Sequence, residues 1–180
     1  YKDIGVASVS MGGGDILPAL EKGTIDAAEW CCPKPDLVFG FQKVLKNYYL
    51  QGLHQNVVNG EMIFNKDVYN KLTEQEKYAM EIASEAMITR NITNRAVENG
   101  KALIELTTKH GVILHDTPAD YFVEYMAAAK ATILKNSKEN KFFDEVYQHM
   151  TAHAKIVVPF IAQMETSDAS IGTAFANAQK

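Results

Sequence analysis

Residues 11–30 read MGGGDILPALEKGTIDAAEW and residues 48–55 read YYLQGLHQ, and these two segments frame the part of the chain that decides the fold. The three consecutive glycines permit backbone conformations that other residues avoid. Asp15 is then placed to cap a helix over residues 16–22, and Gly23 is placed to end it. The segment therefore predicts a short helix that is entered from a glycine turn.

Two extended runs flank that helix. Residues 5–11 alternate larger apolar and small side chains with a period of two, which predicts a strand, and residues 24–28 predict a second one. Glu29 and Trp30 follow the second strand directly, at the end where open α/β sheets place their ligand contacts. A carboxylate beside an indole at that position is a pocket candidate, although a surface glutamate next to a core tryptophan gives the same pattern.

The rest of the chain continues the α/β pattern, with helices dominating its second half. The predicted elements are a proline-rich loop at 32–36, a helix at 37–45, a strand at 53–65, a turn capped by Asp67, a helix at 73–110 opened by a capping box, a strand at 112–115, a helix at 118–135, and a helix at 142–165 kinked at Pro159. Tyr48 and Tyr49 fit either packing at a helix end or lining of a cleft. The helix at 73–110 would be roughly 57 Å long, enough to brace two lobes.

Composition excludes several classes of function. The formal net charge of −4 provides no basic surface to neutralise phosphates, so nucleic acid is not an expected partner. The sequence contains no apolar run of 18 or more residues, as a membrane-spanning helix requires. It opens on Tyr1-Lys2-Asp3 without the pattern of a signal peptide.

Cysteine and histidine give weak chemical patterns. Cys31 and Cys32 are adjacent and are the two cysteines of the chain, and a bridge between neighbours needs an unusual peptide geometry, so two free thiols are expected. His149 and His153 are four residues apart on a predicted helix, which suits a metal site but is more often a solvated face.

Four motifs resemble one known family, the extracytoplasmic solute receptors (DctP-like) of TRAP (tripartite ATP-independent periplasmic) transporters. The motifs are GGGDI at 12–16, ALEKGTIDAAEW at 19–30, GFQKVLKNYYLQGLHQ at 40–55 and NKDVYNKLTEQEK at 65–77. The resemblance is clear from about residue 10 to 80, weaker to about residue 155, and closest to the branch that binds 2-oxo acids and hydroxy acids.

The resemblance implies a two-lobed α/β fold of the periplasmic binding type, with long bracing helices and with the amino-terminal part outside this chain. Residues 1–52 would belong to the second ligand-binding lobe, and 53–66 would be a strand that crosses the hinge. Residues 67–165 would complete and brace the lobes, and 166–180 would be a tail that is either frayed or docked on a second subunit in a homodimer. The implied function is periplasmic: capture of a small organic acid and delivery to the TRAP membrane permease subunits, without enzymatic turnover.

The resemblance also implies a metal-assisted carboxylate site. Its expected ligands are the Glu29 carboxylate, the Trp30 backbone carbonyl and the Gln55 side chain, around a Na or Ca ion that touches the ligand carboxylate. Leu53 and Gln55 stand where the family has Trp and Glu, and the loss of one negative charge leaves the choice of metal open. The family's substrate-pairing arginine precedes this region, so that role is assigned to neither Arg90 nor Arg95.

Two other functions remain open at the level of sequence. The same module could sense a ligand for a signalling partner, which the neighbouring coding sequence would reveal. An α/β enzyme could use Glu29 as a general base, but the sequence offers no partner acid or nucleophile motif, and the segment GGGD is not a GxGxxG phosphate-binding pattern.

Overall fold

The computed structural model describes residues 1–52, 54 and 61–178, apart from the side chains of 165–169, 172, 173 and 176. These residues form two compact units. One contains Val6–Phe122 with Lys2, and the other contains Val123–Lys180 with Tyr1 and Asp3–Gly5. The elements are α1 (Gly13–Glu21), α2 (Pro33–Phe39), β1 (Asn47–Tyr49), α3 (Lys66–Tyr69), α4 (Glu74–Lys109), β2 (Ile113–His115), α5 (Ala119–Glu139), α6 (Lys141–Ala178), and 3-10 turns at Lys2–Ile4 and Phe41–Lys43.

Helix α1 confirms the predicted helix and its glycine stop. Gly23 has φ +67, its N–H donates to the Leu20 carbonyl at 3.1 Å, and the Thr24 N–H donates to the Ala19 carbonyl at 2.9 Å. These are the two bonds of a Schellman ending. The predicted cap was wrong, because Gly12 is the N-cap and Asp15 lies in the first turn, where a carboxylate favours the positive end of the helix.

Helix α2 begins earlier than predicted. The proposed loop at 32–36 was wrong because Pro33 occupies the first helical position, where a missing N–H leaves nothing unsatisfied. The helix ends at Gly40, whose φ of +89 breaks the predicted run from 37 to 45. A 3-10 turn then leads into β1.

Among the described residues the sheet is one parallel pair, with Tyr48 of β1 opposite Leu114 of β2. The predicted strand at 112–115 is confirmed. The predicted strands at 5–11 and 24–28 were wrong for this chain, which is irregular there. A strand needs a neighbouring backbone to complete its hydrogen bonds, and alternation of side chains does not supply one.

The long helix α4 starts as predicted. Thr73 accepts a hydrogen bond from the Glu76 N–H, and the Glu76 carboxylate accepts one from the Thr73 N–H, which together form the capping box. Before it, the cap of α3 is Asn65 rather than the predicted Asp67, whose N–H donates to Asn65. Of the predicted hinge strand, residues 61–65 are irregular, and 53 and 55–60 lie outside the described residues.

The spacing of apolar residues along α4 predicts a buried side, and most of that prediction was wrong. Its members are Tyr78, Ile82, Ala83, Ala86, Met87, Val97, Leu103, Ile104 and Leu106. Ala102 and Leu106 are buried, near the end of the helix that packs against α2. Tyr78, on the first turns, is 63% exposed. Ile82, Ala83, Ala86, Met87, Val97 and Ile104 are also exposed. Periodicity identified an apolar face correctly, but it cannot say whether a packing partner covers that face.

Helices α5 and α6 form most of the second unit. Helix α6 spans 38 residues, with Pro159 inside it, and continues through the segment that was expected to be a tail. Residues 166–178 contain four alanines, which favour a helix, beside several poor helix formers, so the sequence alone did not decide this element. Every side chain of α5 is exposed or half-buried.

Candidate functional site

A small apolar core supports the segment that carries Glu29 and Trp30. Ile16 and Leu20 of α1 are buried together with Phe41. The half-buried side chains packed against them are Met11, Leu17, Ile25, Val44 and Leu45. This cluster joins the first helix to the chain on both sides of the predicted site, so the site lies on a packed support.

The Trp30 indole packs across the start of α1. A Cβ added to Gly13 would lie 2.5 Å from Trp30 Cη2, which means that the ring occupies the space a side chain there would need. The indole also meets Phe39 at 4.8 Å between ring centroids, and Phe39 stacks on Phe41. Trp30 is 37% exposed, so it is held at one face and open at the other.

The Glu29 carboxylate points outward beside that ring system. Its side chain is 58% exposed, and its Oε2 lies 3.5 Å from His54 Nε2. An exposed carboxylate keeps most of its hydration, so it can exchange water for a cation at little cost. The residues 29–30 thus offer one carboxylate and one adjacent backbone carbonyl.

Asp36 was missed by the sequence reasoning and is the buried acid of this region. It is 9% exposed, and its Oδ2 accepts a hydrogen bond from the Tyr48 hydroxyl at 2.5 Å. Burial raises the pKa of Asp36 above its usual range, and the bond from Tyr48 opposes that rise. Burial and the neighbouring Asp36 also raise the pKa of Tyr48. The signal was present in the sequence: an acid flanked by Pro35 and the apolar Leu37.

The two tyrosines of β1 have different environments. Tyr48 is half-buried and bonds to Asp36, whereas Tyr49 is exposed and stacks on His115 at 5.1 Å between ring centroids. Both belong to β1, and Tyr48 contacts helix α2 through Asp36, while lining of a cleft by either tyrosine stays a prediction.

Cys31 and Cys32 are free thiols, as expected, but their sulfurs are 3.0 Å apart. Cys31 is exposed and Cys32 is half-buried. Partial burial, followed by the contact with Cys32, raises the pKa of Cys31 to about 11. The thiol is therefore protonated at neutral pH.

Residues 1–140 match the family described as bacterial extracellular solute-binding protein, family 7 (DctP). The match covers more than half of the chain. This chain belongs to that family. The resemblance found in the four sequence motifs is confirmed, and the family is one of transport receptors.

Two relatives of this DctP-family chain extend the comparison. It is 28% identical, over 84% of its length, to a monocarboxylate 2-oxoacid-binding periplasmic protein of Nostoc sp. (strain PCC 7120). It also superposes, with a TM-score of 0.73, 26% identity and 96% of the chain covered, on a TRAP transporter solute-binding protein from Bordetella bronchiseptica RB50. That structure is described as a mixed-occupancy dimer, with copurified calcium and picolinate bound in one active site and the other site apo.

The DctP-family chain spans about half the length of these relatives, 42% of the first and 53% of the second. The fold of a TRAP-type periplasmic binding protein is confirmed by the superposition, and the described part is mostly helical with a small sheet. None of the described helices is both long enough and apolar enough to cross a membrane.

The predicted metal ligands of the DctP-family chain are only partly placed by the structure. Glu29 and Trp30 are neighbours on the surface described above, whereas Gln55 lies outside the described residues. A carboxylate and a backbone carbonyl are oxygen donors, the kind that Ca²⁺ and Na⁺ take. Within the described residues no cluster of three or more His, Cys, Asp and Glu side chains is suited to a metal, and His149 and His153 are both exposed.

Proposed function

We propose that this chain forms the cation-holding part of a periplasmic receptor that captures a small 2-oxo or hydroxy acid and delivers it to a TRAP membrane permease. The observation that carries the proposal is the pairing of an exposed Glu29 carboxylate with a Trp30 whose ring is fixed against Gly13 and Phe39. A fixed ring limits the positions that the Trp30 carbonyl can take. The adjacent Glu29 carboxylate, which is exposed, can turn toward the same ion.

A cation is needed because the ligand and Glu29 carry the same charge. Two carboxylates repel each other, and the repulsion grows as water is excluded. A Ca or Na ion between them turns the repulsion into attraction and orients both groups. The proposed metal ligands are Glu29, the Trp30 carbonyl and Gln55, which also contact the bound acid. The neutral Gln55 leaves one negative charge on this set.

The molecules that the two relatives bind support one class of ligand for this chain. A 2-oxo acid carries a carbonyl oxygen next to its carboxylate, and picolinate carries a ring nitrogen at the same distance from its carboxylate. Either molecule can close a five-membered ring around a metal ion with two donors. The Bordetella protein holds picolinate together with calcium. We expect this chain to share the preference for acids that chelate a cation.

Binding would be followed by closure of two lobes around the acid, without making or breaking a bond. The long helix α4 suits a bracing role, since 36 residues in one helix resist bending over a long distance. The description of the family as extracellular solute-binding proteins supports delivery of the acid from the periplasm to a permease in the membrane.

A second part of the proposal concerns assembly. Helix α6 exposes large apolar side chains along most of its length, including Phe142, Met150, Ile156, Phe160, Ile171 and Phe175. A face of this kind is typical of a protein interface. The Bordetella relative is a dimer. We expect α6 to pack on a second copy of this chain.

Isothermal titration calorimetry with picolinate and with pyruvate tests the central proposal. The titrations are run with calcium, with sodium, and with a chelator present. We expect binding of both acids that requires a cation, and weaker binding of acetate, which has no second donor. Equal affinity for acetate, or full affinity in chelator, would contradict the metal-assisted site.

A further inference from the structure

Cys31 and Cys32 lie at the junction between the proposed cation ligands and helix α2. Their sulfurs are 3.0 Å apart, and both are free. The sequence contains two cysteines, so each has the other as its partner within the chain. Cys31 is exposed and within reach of reagents in solution.

We propose that Cys31 and Cys32 form a redox-modification site, which closes to a disulfide between neighbours and displaces the Trp30 carbonyl when it closes. The displacement follows from covalent geometry. The Trp30 carbonyl and the Cys31 nitrogen belong to one planar peptide unit, so a rotation at Cys31 turns that carbonyl. The consequence for cation binding rests on the proposed function, whereas ring closure itself does not.

Ring closure strains the Cys31–Cys32 peptide first, because that peptide is part of the ring, and the contacts on either side determine how the backbone at Trp30 and Cys31 responds. On one side, the Cys32 carbonyl accepts a hydrogen bond from the Asp36 N–H at 3.1 Å and so belongs to the first turn of α2. On the other side, the Trp30 ring is held by Phe39 and by the surface over Gly13. The sulfurs must approach by about 1 Å to reach a bond length of about 2.05 Å. The peptide between the two anchors lies outside any helix or strand, and its Cys31 N–H bonds to the Asp36 carboxylate, so that bond is the one that must break when the Trp30 carbonyl turns.

The reaction is an exchange with a small disulfide such as oxidised glutathione. The thiolate of one cysteine attacks the glutathione disulfide, forms a mixed disulfide and releases one glutathione thiolate. The second cysteine then attacks the protein sulfur, closes the ring and releases the second glutathione. The dithiol loses two electrons and two protons, and the glutathione disulfide gains them as two thiols. A bond between neighbours is strained and so easily reduced, which makes the site reversible.

Capture of a soft metal ion is the competing use of such a pair. The described residues supply no third ligand to make a cluster of three His, Cys, Asp or Glu side chains around these sulfurs. Oxygen donors from Glu29 and Trp30 suit hard cations instead. Oxidation is therefore the chemistry that the geometry favours.

The first experiment needs no metal. The purified protein is treated with oxidised glutathione at mildly alkaline pH, then assayed by intact mass, by counting free thiols and by fluorescence of Trp30, the single tryptophan of the chain. We expect loss of both thiols, loss of two hydrogen atoms in mass, and a changed Trp30 emission that a dithiol reductant reverses. Cys31→Ser and Cys32→Ser are the matched controls; each should keep one thiol or gain one glutathione, with emission unchanged. Any one of three results would overturn the proposal. They are retention of both thiols, a stable glutathione adduct on the unsubstituted protein, and ring closure with unchanged Trp30 emission.

The second experiment measures calcium binding by calorimetry before and after oxidation. We expect the affinity for calcium to fall roughly tenfold in the oxidised protein. Disturbing the groups that position a metal ligand, here the Trp30 carbonyl, typically lowers metal affinity by about that factor. The variant with both cysteines changed to serine should bind calcium equally before and after treatment. An unchanged affinity in the oxidised protein contradicts displacement of the carbonyl. If the reduced protein binds no calcium, the proposed function fails, while the thiol counts and the emission of Trp30 still decide the redox site.

Discussion

The Tyr48 hydroxyl donates a hydrogen bond to the Asp36 carboxylate across 2.5 Å, and this bond joins β1 to α2. The carboxylate is 9% exposed. Helix α2 begins directly after the cysteine pair and carries Phe39, which supports the Trp30 ring. The buried bond therefore helps to fix the helix on which the proposed cation site depends.

Asp36 should make stability depend on pH. Burial raises its pKa in the folded protein above the ordinary value of 3.8, so the folded state holds this proton more tightly than the unfolded state. The free energy of unfolding should therefore fall as pH rises from about 3.8 through the raised pKa. Asp36→Asn, which keeps an acceptor for Tyr48 and removes the charge, should flatten this part of the profile. Urea unfolding at a series of pH values measures it, and an unchanged profile in the variant would contradict the assignment.

Removing the Tyr48 hydroxyl should lower the free energy of unfolding more than removing the Asp36 charge does. Tyr48→Phe leaves a buried carboxylate without its hydroxyl partner and should lower the free energy of unfolding by about 1–3 kcal/mol at neutral pH. Tyr49→Phe is the matched control, because Tyr49 is 54% exposed and lies next in the same strand. Urea unfolding of both variants gives the comparison. Equal losses in the two variants would mean that the bond to Asp36 stabilises the protein no more than an exposed hydroxyl does.

The contact between Gly13 and Trp30 can be tested with two adjacent glycines. Gly13→Ala would put a Cβ 2.5 Å from the indole, whereas Gly14→Ala meets nothing within 4 Å. Alanine favours a helix over glycine by about 1 kcal/mol, so Gly14→Ala should stabilise the protein. Gly13→Ala should lose that gain to overpacking of about 1–3 kcal/mol and should shift the Trp30 emission. Thermal unfolding and fluorescence measure the two effects, and a stabilised Gly13→Ala protein with unchanged emission would argue against the contact.

Features written in a few consecutive residues were predictable from the sequence. Thr73 and Glu76 form their capping box, and Gly23 ends α1, because each depends on a local pattern. Residues 5–11 have the alternation of a strand, but pairing depends on a neighbour that alternation does not specify. The predicted burial along α4 was wrong for the same reason, because the spacing of apolar residues does not specify a neighbour that covers them.

The candidate site divides in a similar way. The family motifs predicted Glu29 and Trp30 as site residues. The structure adds the packing contacts of the Trp30 ring, which no motif contains. The contact of Trp30 with Gly13 brings together residues 17 positions apart, and only the folded backbone reveals that the indole fills the space of a missing side chain. The metal-ligand roles of Glu29, Trp30 and Gln55 stay predictions, which the next variant tests.

Loss of the Glu29 charge should weaken binding of the acid in the presence of calcium. Glu29→Gln keeps the shape of the side chain but removes the charge-assisted contact with the ion, which is worth about 1.5–3 kcal/mol. Glu21→Gln is the matched control, since Glu21 is an exposed glutamate at the end of α1. Calorimetry with picolinate and calcium should show weaker binding in Glu29→Gln and unchanged binding in Glu21→Gln. Equal affinities for the two variants would remove Glu29 from the site.

A charge on the apolar face of α6 should dissociate the proposed dimer. Ile156 is 77% exposed in the single chain, so Ile156→Glu costs the monomer little, yet it would bury an unpaired carboxylate in an interface formed by a second copy. Sedimentation velocity over a range of protein concentrations should show a dimer for the unsubstituted protein and a monomer for the variant. Lys155→Glu, at the adjacent exposed position, is the control for a change of charge alone and should remain dimeric. A monomeric unsubstituted protein, or an Ile156→Glu protein that dimerises as well as the control, would show that α6 does not form the contact.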